Sequence, residues 1–469
     1  MFSFSSIEHY HELLNSGGTT CIQAVQHYLS AIEENKQLNA FIEVYTEEAL
    51  ARAAWLDQQP RSGALHGVVI GLKDNICYAA HAATAASRIL TGFETPYSAT
   101  AVERLLAAGA IIIGRQNCDE FGMGSTNEHS SYGPVLNPVD HGRVPGGSSG
   151  GSAASVKAGL CMAALGSDTG GSVRLPADFC GVVGVKPSYG RVSRYGLIAY
   201  GSSFDQIGVL ANSIADAALI WQTISGPDDF DSTAITTAPG SPFPIAEDRK
   251  YRIAYFPEWI EHPSLDPEIA TQIRERIAQL KEQGHEVAPF HFSLTDYIVP
   301  TYYILTTAEA SSNLSRYDGV RYGRSAGAAD SLGDLYRQNR TEGFGKEVKK
   351  RILLGTFVLS AGYYDAYFTK AQQVRQQLKE QTDLIFNEFD FILAPNAPLV
   401  AYPLGAARQD PLAMYLGDIF TVFANLTGLP AVSLPVFKHS SNLPFGLQVL
   451  SSTQNEVSLL RFSHHLMQQ

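Results

Sequence analysis

The chain has 469 residues, 45% of them hydrophobic and 17% charged, the makeup of a folded globular protein and not of a disordered, coiled-coil or collagenous one. Its 34 Lys and Arg against 46 Asp and Glu leave a net charge of −12, which repels phosphate backbones and anionic surfaces and argues against direct nucleic-acid or membrane binding by this chain. The length fits two ordinary domains or one large α/β domain.

The chain opens "MFSFSSIEHYHELL", without a basic start and apolar core, and runs such as "AAGAIIIG" (107–114) fall far short of the roughly 20 residues that span a bilayer; a cytoplasmic protein is expected. Thr19 or Thr20 is placed to cap a helix in which Ile22, Val25, Leu29 and Ile32 share a face, and a second helix is expected over about 40–56. "HGVVIGLKDN" (66–75) reads as a short strand ending at Lys73. "TAVERLLAAG" then reads as a helix stopped by Gly109, and "AIIIGRQN" as another strand, an order that implies parallel pairing. Residues 154–165 carry a helical pattern and "GVVGV" (181–185) a strand, so the Gly/Ser clusters "GGSSGGS" (146–152) and "SDTGGS" (167–172) flank a helix instead of linking domains.

Residues 225–250, rich in Pro, Asp, Ser and Thr, begin a surface excursion. It reads as a small helical and loop insertion around 225–345 with one clear helix, "EIATQIRERIAQLKEQG". Helix returns over about 363–388, strand at "FDFILAP" (389–395), helix over about 412–427, and paired strands at "AVSLPVF" and "PFGLQVL". Cys21, Cys77, Cys118, Cys161 and Cys180 are scattered with no C-x-x-C pair, so neither a disulfide framework nor a metal site is expected and each reads as a buried thiol.

"GGSSG" matches G-x-S-x-G, but a nucleophile elbow needs an apolar strand before it, and "NPVDHGRVP" (137–145) is a polar, proline-containing loop. No Lys follows the glycines, so a phosphate loop is excluded too. A better use of these residues is close backbone approach to a substrate, with the amides of Thr169, Gly170, Gly171 and Ser172 converging on an oxyanion and Ser172 attacking. The base is either a histidine, His129 or His141, or Lys73 at its strand end, where desolvation disfavours the charged amine. Keeping such a lysine neutral near pH 7 costs on the order of 4 kcal/mol.

"GLKDN" (71–75), "PGGSSGGSAASV" (145–156) and "GSDTGGSVRLPA" (166–177), in this order and spacing, resemble the amidase signature family. Further segments resemble that family's A subunits of glutamyl-tRNA(Gln)/aspartyl-tRNA(Asn) amidotransferases: "DEFGMGSTNEHSSYGPVLNP" (119–138), "GVKPSYGRVSRYGLIAYGSSFDQIG" (184–208), "NLSRYDGVRYG" (313–323) and "YLGDIFTVFANLTGLPAVSLP" (415–435). The resemblance covers about residues 5–460. It implies one α/β domain over 1–469, with a large mixed central sheet covered by helices on both faces. N-terminal helices (1–60) would precede a catalytic core (61–225), the insertion (226–345) and closing helices and strands (346–469).

It implies Ser172 as the acylated nucleophile, Lys73 as the base and Ser148 as the relay between them, after a cis Gly147–Ser148 bond. Ser149 stands one residue from exchanging roles with Ser148, while Asp168 and Arg174 support the turn. Glutamine's α-carboxylate and α-ammonium need a cation and an anion, and the resemblance points to Arg351 and Asp418 with Tyr303, or Tyr302, beside them. Ser188, Phe204 and Val209 depart from the pattern, as does a short C-terminus, which bears on partner contacts.

The implied reaction is hydrolysis of glutamine to glutamate and ammonia. A B subunit using ATP and Mg²⁺ on a mischarged tRNA and a clamping C subunit would complete a heterotrimer; no cofactor is implied for this chain. A free-standing amidase acting on another amide, and a catalytically silent scaffold, are the competing readings.

Overall fold

Central strands in this chain read as largely continuous apolar runs because both of their faces are buried. Val69–Lys73 (β2) is buried at all five positions, running parallel to Ile111–Gln116 (β3) on one side and Ala163–Asp168 (β4) on the other. The computed structural model describes residues 2–61, 63–246, 249–327, 329–406 and 417–468. Among them one mixed sheet has eleven strands. The remaining strands, in chain order, are Phe41–Val44 (β1), Val183–Lys186 (β5), Gln206–Ala211 (β6), Arg252–Tyr255 (β7), Glu286–Pro289 (β8), Phe391–Pro395 (β9), Ala431–Lys438 (β10) and Pro444–Ser451 (β11). Across the sheet they lie in the order β1-β3-β2-β4-β6-β5-β10-β11-β9-β7-β8.

Local chemistry accounts for the elements that matter here. The first expected helix is Cys21–Glu34 (α2), and of the two candidate caps Thr20 takes the place, exchanging hydrogen bonds with Gln23 in a capping box, worth about 1 kcal/mol. Thr100–Ala107 joins β2 to β3 and ends before Gly109, which has φ +94°, so the expected parallel unit forms. The helix between the Gly/Ser clusters is Gly150–Lys157 (α5), followed after the cluster "SDTGGS" by Arg174–Cys180 (α6).

Two expected helices are corrected. Residues 41–44 form β1, antiparallel to β3, because aromatic and β-branched Phe41, Ile42 and Val44 suit a pleated edge; the helix begins only at Thr46 and runs to Asp57. Residues 154–165 are not one helix: α5 stops at Lys157, Gly159 turns the chain at φ +67°, and Ala163 to Asp168 become β4. Small residues buried on both faces gave an apolar run that periodicity alone does not resolve.

The 225–345 stretch holds, besides helices and loops, the sheet strands β7 and β8, which flank Pro267–Glu282 and pair in parallel. Later helices include Thr295–Asn313 (α10), Lys346–Val358 (α12), Lys370–Glu388 (α13) and Val422–Thr427 (α14). Of the helix expected over about 412–427, residues 412–416 lie outside the described residues, 417–421 form turns and α14 is its helical part. The expected strands near 389–395, 431–437 and 444–450 are β9, β10 and β11, the last two paired antiparallel. All five cysteines are buried and unpaired, and no helix among the described residues is long and apolar enough to cross a membrane.

Candidate active site

The site forms where β2 and β4 end side by side. Lys73, the last residue of β2, has no solvent exposure. Its Nζ lies 2.7 Å from Ser148 Oγ, 3.0 Å from Ser149 Oγ and 2.9 Å from Ser167 Oγ, with the Ser167 carbonyl at 3.4 Å. Burial lowers its pKa to about 8, against the pull of Cys118, Asp119, Asp168 and Asp205, which favour the ammonium form. His129 and His141, the alternative bases, make no hydrogen bond to Lys73 or the serines among the described residues; His141 is exposed, and the His129 amide donates to Asp119.

The two Gly/Ser clusters are stitched together. The Ser149 amide donates to the Ser172 carbonyl at 3.1 Å, and the Asp119 amide to the Ser148 carbonyl at 3.1 Å. The Gly147–Ser148 peptide bond is cis. Glycine is required at 147 because a Cβ there would lie 2.1 Å from Asp119 Oδ2.

Asp168 closes β4 and holds the following turn. It accepts the Gly171 and Val173 amides at 2.9 and 3.1 Å, and the Arg174 guanidinium at 3.0 and 2.9 Å. Burial opposes its charge, but Arg174 more than offsets this and holds the carboxyl well below the usual carboxylate range. Arg174 is itself fully buried and reaches the Thr421 carbonyl, Gln448 and Asn425 at 2.8, 2.5 and 2.7 Å. Of the four amides expected to face an oxyanion, that of Gly171 is therefore engaged by Asp168, while those of Thr169, Gly170 and Ser172 meet no acceptor among the described residues. Ser172 itself is 8% exposed, the least enclosed of the site serines.

A second group of polar residues adjoins this turn. Thr421 Oγ1 donates to the Gly170 carbonyl at 2.7 Å, and its amide to the Asp418 carbonyl at 3.1 Å. Asp418 accepts from Tyr303 and Ser125 hydroxyls, each at 2.7 Å, and burial raises its carboxyl to about 6. Arg351, on α12, donates to Glu347 at 2.8 Å and to the Tyr200 hydroxyl at 2.7 Å, and its guanidinium sits 5.6 Å from the centre of the Tyr303 ring. The adjacent tyrosines divide their contacts: Tyr303 reaches Asp418, whereas the Tyr302 hydroxyl lies so close to Gly170 that a Cβ there would sit 2.3 Å from it. Ser188 and Phe204, two of the departures from the pattern, pack without reaching the reacting groups: Ser188 bonds to Glu456 and Gln454, and Phe204 stacks under Arg375.

Sequence reasoning missed Ser167, Asn75, Ser125, Tyr200, Thr421 and Asn425. Asn75 and Ser167 lie inside the quoted motifs, two residues beyond Lys73 and five before Ser172, and their polarity beside a lysine-bearing strand end was a usable signal. Ser125 was not detectable, since its hydrogen bond to Asp418 crosses 293 residues.

A family model for amidases matches residues 23–460. The chain is 46% identical to the A subunit of glutamyl-tRNA(Gln) amidotransferase from Chlorobium phaeobacteroides, covering 97% of both chains. It is 48% identical to the protein of that name from Chlorobium luteolum, covering 99% of this chain and 97% of the relative. Among solved structures, the Thermotoga maritima protein of the same name superposes with a TM-score of 0.78 at 39% identity, over 94% of this chain and 90% of that one. A protein from a complex described for its bearing on the origins of an s-triazine catabolic enzyme superposes at 0.85 with 27% identity, over 99% and 98%.

Proposed function

The chain belongs to the amidase family, and on that footing we propose that it serves as the glutaminase, the A subunit, of glutamyl-tRNA(Gln) amidotransferase. The observation that carries the mechanism is the fully buried Lys73 amine at the end of β2, 2.7 Å from the Ser148 hydroxyl and beside the end of β4 from which the Ser172 turn departs.

In this reading uncharged Lys73 takes the proton of Ser148, which takes that of Ser172 as its Oγ attacks the glutamine carboxamide carbon. Amides of Thr169, Gly170 and Ser172 stabilise the oxyanion, worth about 3 kcal/mol for one well-placed donor. Collapse of the tetrahedral intermediate expels ammonia, which leaves with the proton returned through Ser148, and a γ-glutamyl ester remains on Ser172. Water, deprotonated along the same relay, hydrolyses the ester to glutamate and restores the serine. Arg351 receives the substrate α-carboxylate and Asp418 its α-ammonium, with Tyr303 holding the Asp418 carboxylate in place.

The ammonia is delivered to a partner B subunit that activates the glutamyl group of Glu-tRNA(Gln), or the aspartyl group of Asp-tRNA(Asn), with ATP and Mg²⁺. A small C subunit clamps the two together, and tRNA is bound mainly through the B subunit, in keeping with the −12 charge of this chain. Ammonia release from glutamine by the wild type and by Ser172→Ala tests the reading: the variant is expected to lose at least about a thousandfold in rate, and equal release would remove Ser172 from the mechanism.

A further inference from the structure

Lys73 Nζ has three hydroxyl neighbours within 3.0 Å, on Ser148, Ser149 and Ser167. An uncharged amine has two N–H bonds and one lone pair, so only one of these hydroxyls meets the lone pair, and only that one can hand over a proton. The surrounding hydrogen bonds commit the Ser149 proton elsewhere, and together with the contact lengths they favour Ser148 over Ser167. The Ser149 hydroxyl donates to the Ser167 carbonyl at 3.2 Å and accepts the Ser167 amide at 3.3 Å. Its proton is committed, so toward Lys73 it accepts. The Ser167 oxygen accepts from Asn75 Nδ2 at 2.9 Å, which orients it with its second lone pair available to the amine. The Ser148 hydroxyl makes no other hydrogen bond among the described residues and has the shortest contact to the amine.

We infer that Ser149 and Ser167, the latter fixed by Asn75, accept the two N–H bonds of uncharged Lys73 and so aim its lone pair at Ser148. They are positioning residues: they touch the base, not the substrate, and they select Ser148 over its neighbour Ser149 as the relay. This rests on the proposed amidase chemistry and adds what orients its base. The titratable groups facing the amine are Asp119 with the Cys118 thiol, kept uncharged by burial, after β3, Asp168 at the end of β4 and Asp205 before β6; the carboxylates among them favour the ammonium form. Two hydroxyl acceptors do the same, so removing one shifts the amine further toward its neutral form.

In the full-length protein, assembled with its partners where these are needed for turnover, Ser167→Ala lowers kcat about tenfold, the effect of one lost hydrogen bond. It leaves KM for glutamine unchanged and moves the acid limb of the kcat/KM profile to lower pH. Ser167→Thr, which keeps the hydroxyl, restores both. A merely structural loss would slow the enzyme without displacing the limb. A Ser167 hydroxyl that instead donated to the amine would compete with Ser148, and its removal would raise the rate. A faster Ser167→Ala enzyme, an unmoved acid limb, or Thr no better than Ala each overturns the inference. Should Ser167→Ala fail to fold by circular dichroism, Ser149→Ala is read the same way, with the same shift expected. Wild-type turnover of glutamine is measured first and tests the proposed function separately; if another amide is the substrate, the same variants compared on that amide still test the arrangement.

Discussion

The side chain of Lys73 and that of Asp418 must be in opposite states of charge for the same turnover, and burial acts on both. The lysine works as a base only when neutral, and its pKa, lowered by burial to about 8, makes the neutral fraction rise as pH rises through that value. The aspartate binds an ammonium only when ionised, and its carboxyl, raised by burial to about 6, loses that charge as pH falls through about 6. Because kcat/KM reports the free enzyme, its logarithm is expected to climb with unit slope between about 6 and about 8 and with a doubled slope below about 6. A profile flat across that range, measured by ammonia release, would remove neutral Lys73 from the rate. At this scale the sequence was informative where a motif isolates a residue. A lone lysine closing an apolar run announces a desolvated amine, and Ser172 sits last in a glycine turn. The Tyr302/Tyr303 ambiguity was not resolvable because neighbouring helical positions differ by about 100° in direction, and only packing against Gly170 and Asp418 tells them apart.

The end of β4, the following turn and α6 act as one element, held by the Asp168–Arg174 pair with no exposure of either side chain. Arg174 also ties this element to α14 and β11 through Asn425 and Gln448. Arg174→Met would leave a buried carboxylate without its counter-ion and is expected to destabilise the protein by about 3–5 kcal/mol at neutral pH in urea unfolding. The sign with pH follows from the Asp168 carboxyl being held below its usual range. The pair contributes fully above the unfolded-chain value of about 4 and less as pH falls below it, so the gap between variant and wild type narrows there. A variant as stable as the wild type at neutral pH would contradict this account of the turn. Burial on both faces is what hid β4. β4 resembled a continuation of α5 because Ala, Leu and Gly carry no period when nothing is exposed, whereas the capped, one-sided helix α2 was legible from Thr20 and its apolar stripe.

Across the whole molecule, the strand ends of β2 and β4, the helices α10 and α12 and the chain near Asp418 converge from positions 73 to 418 on one turn. The family motifs made the Lys73, Ser148 and Ser172 part of this readable. The β7–β8 unit within the 225–345 stretch was hidden, since strands of four residues on either side of a helix give almost no periodic signal of their own. The convergence has a direct chemical readout: a glutamine analogue with a diazoketone in place of the carboxamide would be guided by Arg351 and Asp418 to the nucleophile. Peptide mapping by mass spectrometry after exposure to this analogue is expected to find a single label on Ser172, prevented by excess glutamine and lost in Lys73→Met. Label on Ser148, on Ser149 or on a cysteine, or undiminished label on Ser172 in Lys73→Met, would contradict the account.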